Sequence, residues 1–247
     1  MRMEDRGLPM RWRVSPRLGL ELAVALAAML ALALLAMSAL AMPAQAAAGA
    51  VGIFVAMGAL ILYQWPDPQR GLGPANQVTL VRAVLVALLA GALGAPQWVE
   101  AHALPIAAVA GVALLLDGVD GWVARRYACA SAFGARFDME LDAFLILVLC
   151  VQLLMMGKAG PWVLAIGAMR YAFVGAMRPW PWLDRPLPER FRRKLVCVWQ
   201  VGTLLVCLLP VIDGGLATVL LALALWLLAV SFAIDVRWLH RTRPRRS

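Results

Sequence analysis

Charge is what this chain has least of. Only 15% of its 247 residues are Asp, Glu, Lys or Arg, against 63% hydrophobic residues, and the mean hydropathy is +0.80. Ordinary soluble domains carry about 25% charged residues, so this composition excludes that class and points to the membrane. Acidic residues are scarcer than basic ones, 14 against 23, leaving a net charge of +9. Histidine occurs twice and cysteine four times. Cys129, Cys150, Cys197 and Cys207 lack metal-ligand spacing and lie in or beside apolar runs, so they read as buried, inert thiols. The positive balance does not argue for nucleic acid, because it is broken into short segments between apolar runs and no matching fold accompanies it. No internal repeat is present.

What the chain does have is apolar runs of spanning length. They fall at about 18–41, 46–64, 77–95, 104–124, 137–156, 160–178, 194–211 and 215–236. Trp65, Trp98, Trp162, Trp180, Trp182 and Trp238 lie near their ends, where indole rings favour the headgroup layer. Eight spans put both termini on one side. Of the 23 Lys and Arg, all but Lys158, in an opposite loop, and Arg170, within a span, fall on that side. The positive-inside rule makes it the cytoplasm. The first run resembles a secretory signal in its flanks, but it is longer than a signal's apolar stretch of about 7 to 15 residues and reads as a retained anchor. The segment QWPDPQRGLGPAN is a linker. The expected organisation is a tail and two-helix extension over 1–64, a linker over 65–75, a six-helix core over 76–236 and a basic tail over 237–247.

The scarce acid is concentrated. Residues 117–144 read DGVDGWVARRYACASAFGARFDMELDAF. Asp117 and Asp120 are spaced i, i+3, with Gly121, Ala124 and Arg125 on the same side of a helix; Gly134, Asp138 and Asp142 share a face of the next. Two antiparallel helices would each present two carboxylates, and Gly121, Ala124 and Gly134 would let a backbone or ligand approach closely. An aspartate at mid-span costs roughly 2.5 to 3.5 kcal/mol, and four converging ones repel one another. A divalent cation would compensate. Hard oxygen donors without His or Cys suit Mg²⁺ or Mn²⁺, as a pair in the manner of phosphoryl-transfer sites. Arg125 would hold a phosphate by charge-assisted hydrogen bonds.

This stretch resembles the signature of the CDP-alcohol phosphatidyltransferases, D-x-x-D-G-x-x-A-R, eight residues, then G-x-x-x-D-x-x-x-D. Asp117, Asp120, Gly121, Ala124, Arg125, Gly134, Asp138 and Asp142 meet every specified position. The resemblance covers about residues 74 to 236 and not the first two spans. It implies an all-α integral membrane protein with a six-helix core, here preceded by two extra transmembrane helices, usually dimeric. It implies transfer from a CDP-linked lipid, typically CDP-diacylglycerol, to a small alcohol with release of CMP. The expected setting is a bacterial-type inner membrane rich in lipid partners, with the site and both termini cytoplasmic. By the same resemblance Asp117, Asp120 and Asp138 ligate metal. Asp142 activates the acceptor hydroxyl and also touches metal. Gly121, Ala124, Arg125, Ser131 and Gly134 surround the CDP part, as do Asn76 and Thr79, although Asn76 reads equally as a helix cap.

Departures from the family pattern leave the acceptor open. Ala143 stands where many members have Lys, and Cys197 breaks a loose Lys194/Gln200 likeness to phosphatidylglycerophosphate synthases. Glycerol 3-phosphate, an inositol phosphate, serine and choline all stay in play. Arg82, Arg170 and Lys194 are candidate phosphate or acceptor contacts, though Arg170 in mid-span is also consistent with a structural ion pair and the ERFRRK run with an interfacial segment. A transporter using intramembrane carboxylates is the rival reading. It needs polar groups through the membrane depth, and these cluster at one side.

Overall fold

In the computed structural model, described over residues 15–67, 70–127, 131–183 and 191–242, every long element is a helix and no strand occurs. The α-helices are α1 (Pro16–Leu40), α2 (Ala44–Gln64), α3 (Pro74–Gly91), α4 (Pro96–Ala101), α5 (Ala103–Arg126), α6 (Ala132–Met155), α7 (Leu164–Met177), α8 (Phe191–Leu208) and α9 (Gly214–Arg241). Each expected span corresponds to one helix, although α7, where 160–178 was expected, has only 14 residues. The six-residue α4 was not expected: too short to show a period, it sits on the Pro96 N1 signal alone. Helix α6 starts at Ala132 rather than near 137, because Arg136 cuts its short opening AFGA off from the apolar run that hydropathy follows.

Among the described residues five helices are long and apolar enough to cross a membrane: α1, α2, α3 with its trailing turn, α5 and α9. At 24 residues α6 is about 36 Å long, enough to span. Its opening acid and base, Arg136, Asp138, Glu140 and Asp142, keep it out of that apolar set. Helices α7 and α8 supply shorter apolar stretches. The chain is an integral, multi-pass membrane protein.

The helix ends follow local chemistry. Ser15 caps α1, its hydroxyl accepting from Leu18 N at 3.0 Å, and Pro16 occupies the first turn. Gly73, at φ +79°, turns the linker into Pro74 and α3, a conformation that side-chain-bearing residues rarely adopt. Asp213 caps α9 by accepting from Gly215 and Leu216 at 2.8 and 3.0 Å. Those N–H groups, Leu216's foremost, hold its carboxyl below the usual range.

The chain divides into two compact units, Met1–Gly94 with Val112–Leu141, and Ala95–Gly111 with Asp142–Ser247; α5 and α6 run through both. In the first unit α3 is the buried helix, packed by α1 and α2. Gly49 and Gly91 let α2 and α3 meet backbone to backbone, with Gly91 against Ala46 and Ala50. Leu20, Leu34, Val55 and Leu60 on the outer faces of α1 and α2 are exposed, as lipid-facing residues are. Helix α1 is also tied to the linker: Ser15 Oγ donates to Arg70 O (2.9 Å), and Glu21 accepts from Leu72 N (2.7 Å) and Gln77 Nε2 (2.9 Å). In the second unit α8 and α9 pack together, and Gly167 of α7 lies against the backbone of Leu147. Lys158 Nζ donates to the carbonyls of Cys207 and Leu209 (2.8 and 2.6 Å), closing the end of α8. Burial lowers the pKa of Lys158.

Of the thiols, Cys150 and Cys207 are buried as expected, whereas Cys197 is exposed. On an apolar membrane helix an outward position faces lipid, which a small apolar thiol tolerates. Cys129 lies outside the described residues.

Candidate active site

The site is built on α3, α5 and α6 of the first unit. Helix α5 carries Asp117 and Asp120 one turn apart. Helix α6 opens at Ser131, whose hydroxyl accepts from Gly134 N (2.9 Å), and presents Asp138 two turns in. One oxygen from each of Asp117, Asp120 and Asp138 lies within 4.8 Å of the other two, so the three spacings read from the sequence converge in space. They differ in depth. The Asp120 side chain is 6% exposed, while Asp117 and Asp138 are 33% and 38% exposed. The cluster therefore has a closed floor at Asp120 and an open mouth at the other two.

Helix α3 supplies the floor's partners. Thr79 Oγ1, buried, is 3.2 Å from the Ala75 carbonyl and 3.1 Å from Asp120 Oδ2, to which it donates. Arg82, 1% exposed, lies among all three carboxylates: its NH2 reaches Asp117 Oδ1 at 2.9 Å, and its NH1 reaches Asp120 Oδ2 at 2.8 Å and also Asp138 Oδ1. Its Nε donates to the Ala113 carbonyl of α5 at 3.2 Å. The residue expected at a phosphate is thus found between the carboxylates.

Asn76 is not the cap of α3; Gly73 is, without a side-chain bond. Asn76 Nδ2 instead donates back to Leu72 O (2.8 Å), and its Oδ1 lies where a side chain on Gly134 would have to go. The signature glycine has a local reason: only hydrogen fits between Asn76 and Ser131 there. Trp65 closes this end of the unit, its ring edge-on to Phe133 at 4.9 Å and its Nε1 donating to Asp67 O at 2.6 Å.

Other expected residues are placed as follows. Gly121 follows Asp120 on α5, half-buried. Asp142, half-buried, is one turn beyond Asp138 on α6 and belongs to the second unit, as does Arg170, half-buried on α7. The side chains of Ala124, Arg125 and Lys194 lie outside the described residues.

Three carboxylates offering hard oxygen at this separation can hold a metal ion, and a cation is already accommodated among them in the form of the guanidinium. The three negative charges exceed Arg82's single positive one by two, the charge of one divalent ion. Among the described residues no soft ligand joins the cluster, which disfavours zinc.

A family model for CDP-alcohol phosphatidyltransferases matches residues 72–233, well over half of the chain. No curated protein and no solved structure matches it. The match begins at the residue whose N–H is held by Glu21 and takes in every helix that contributes to the aspartate cluster. The chain belongs to the CDP-alcohol phosphatidyltransferase family and is a membrane enzyme of lipid synthesis that transfers substituted phosphate groups.

Proposed function

We propose that the enzyme transfers the phosphatidyl group of CDP-diacylglycerol to a small acceptor alcohol and releases CMP, at the cytoplasmic face of a bacterial-type inner membrane. The observation that carries this reading is the convergence of Asp117, Asp120 and Asp138 within 4.8 Å at one end of α5 and α6. These three, with Asp142, would hold Mg²⁺ or Mn²⁺, as two ions. Bound there, divalent ions supply charge neutralisation at the diphosphate oxygens.

The chain's own residues do the rest. Asp117 and Asp138, at the open mouth, meet the incoming diphosphate side, while Asp120 is fixed from behind by Thr79 and Arg82. Asn76, Gly121, Ala124, Arg125, Ser131 and Gly134 surround the CDP part. Asp142 takes the proton of the acceptor hydroxyl. The hydroxyl oxygen bonds to the phosphorus that bears the diacylglycerol, the bond from that phosphorus to the bridging oxygen breaks, and CMP departs with the electron pair. Arg170 and Lys194 are candidate contacts for an acceptor phosphate, and neither selects a particular alcohol.

The test is CMP release by the purified full-length protein in vesicles containing CDP-diacylglycerol, with Mg²⁺ and a panel of alcohols. Release with at least one alcohol, abolished by chelator, is expected. Undiminished release in metal-free buffer, or none with any alcohol, overturns the reading.

A further inference from the structure

Arg82 is the largest fully buried side chain described in the protein, and its partners are the candidate metal ligands. Guanidinium does not lose its proton in proteins, so this is a permanent cation. Its planar fork meets Asp117, Asp120 and Asp138 from two nitrogens, and the third nitrogen anchors it to the Ala113 carbonyl. Three carboxylates this close would otherwise push one another apart. A divalent ion and the guanidinium therefore answer the same need, and both are attracted by the same oxygens.

We propose that Arg82 is an internal counter-cation of the aspartate cluster. It keeps the ligand oxygens gathered when no divalent ion is bound, and it sets the affinity with which an ion enters. The inference rests on the metal reading given above. It makes Arg82 a positioning residue: its effect reaches the reaction through the carboxylates.

The test uses full-length protein in detergent, with Mn²⁺ binding followed by calorimetry and thermal unfolding measured in chelator and in saturating Mn²⁺. Arg82→Gln, which removes the competing charge, should bind Mn²⁺ on the order of tenfold more tightly than wild type. Its melting temperature should rise more on adding Mn²⁺, because an ion that binds only the folded state stabilises it by mass action. Arg82→Lys keeps the charge but not the fork. It should melt below wild type in chelator, and the gap should close in Mn²⁺. A gap of equal size with and without Mn²⁺ makes Arg82 a fixed structural partner and overturns the proposal, whether or not Arg82→Gln folds. Unaltered Mn²⁺ affinity in a folded Arg82→Gln protein overturns it as well, while leaving CMP release and the function proposed above intact. A wild type that takes up no Mn²⁺ at millimolar concentration overturns both.

Discussion

Two aspartates one turn apart on the same helix, Asp138 and Asp142, are given different work by the proposed mechanism, and substitution can separate them. Asp138 is in the cluster with Asp117 and Asp120, so Asp→Asn at any of the three should weaken Mn²⁺ binding, since an amide keeps an oxygen but loses the charge. Asp142→Asn should still bind Mn²⁺ and CDP-diacylglycerol, yet lose about 10²- to 10⁴-fold in kcat, the usual worth of a general base. Calorimetric titration beside rate measurements checks this; loss of Mn²⁺ affinity in Asp142→Asn equal to that in Asp117→Asn would make Asp142 mainly a ligand. The aspartates were legible because their helical spacing survives in the linear text. Arg82 was less so. Its carboxylate partners lie 35, 38 and 56 residues downstream, and nothing in its own apolar run names them. The cost of a lone guanidinium among apolar residues drew attention to Arg170 only; the same signal exists at Arg82. That cost says a partner must exist without saying which. Asn76 misled in the opposite direction: Asn before an apolar run suggests a cap, but the turn was already begun by Gly73 and Pro74.

At the scale of helices, close approach is bought with missing side chains. A Cβ on Gly91 would stand 2.5 Å from Ala50 Cβ and 2.6 Å from Ala46 O, atoms of helix backbone or its first carbon that have no rotamer to give. Gly91→Ala should force α2 off α3 and cost about 1–3 kcal/mol, seen as a lower melting temperature in detergent. Gly49→Ala is the control, because its new carbon would sit at an ordinary 3.7 Å from Gly91 Cα, and little change is expected. Among the described residues, hydropathy located every helix longer than α4, since lipid demands long apolar runs with internally bonded backbone. It was blind to α4, and it started α6 late, because a six-residue helix and an opening turn cut off by Arg136 leave no trace in a spanning-length window. It also could not reveal that α1 and α2 pack directly on α3. Small residues such as Gly49 and Gly91 permit such packing without specifying a partner.

For the whole molecule, the orientation assigned from the basic residues is the property most open to direct measurement. Even with the buried Arg82 set aside, the charges that remain are heavily one-sided. In a background lacking the four native cysteines, a single cysteine placed after Thr242 should resist an impermeant maleimide in intact cells and react once the cytoplasmic face is exposed. Labelling in intact cells would put the aspartates on the outer face, away from any cytoplasmic nucleotide.

The bonds from Glu21 to Leu72 and Gln77 have a bearing on how the protein is made. The carboxylate is synthesised 51 and 56 residues ahead of the two groups that satisfy it. At about 5–20 residues per second, the nascent chain holds Glu21 in α1 for about 3–10 s before those partners leave the ribosome. During that interval an acid waits near the end of a span without the two donors it bonds in the folded protein. The arrival of α3 relieves the cost, so the first helix acts as a docking post for the helix that carries Thr79 and Arg82. The segment outside the family's own boundary thereby takes part in assembling what lies inside it.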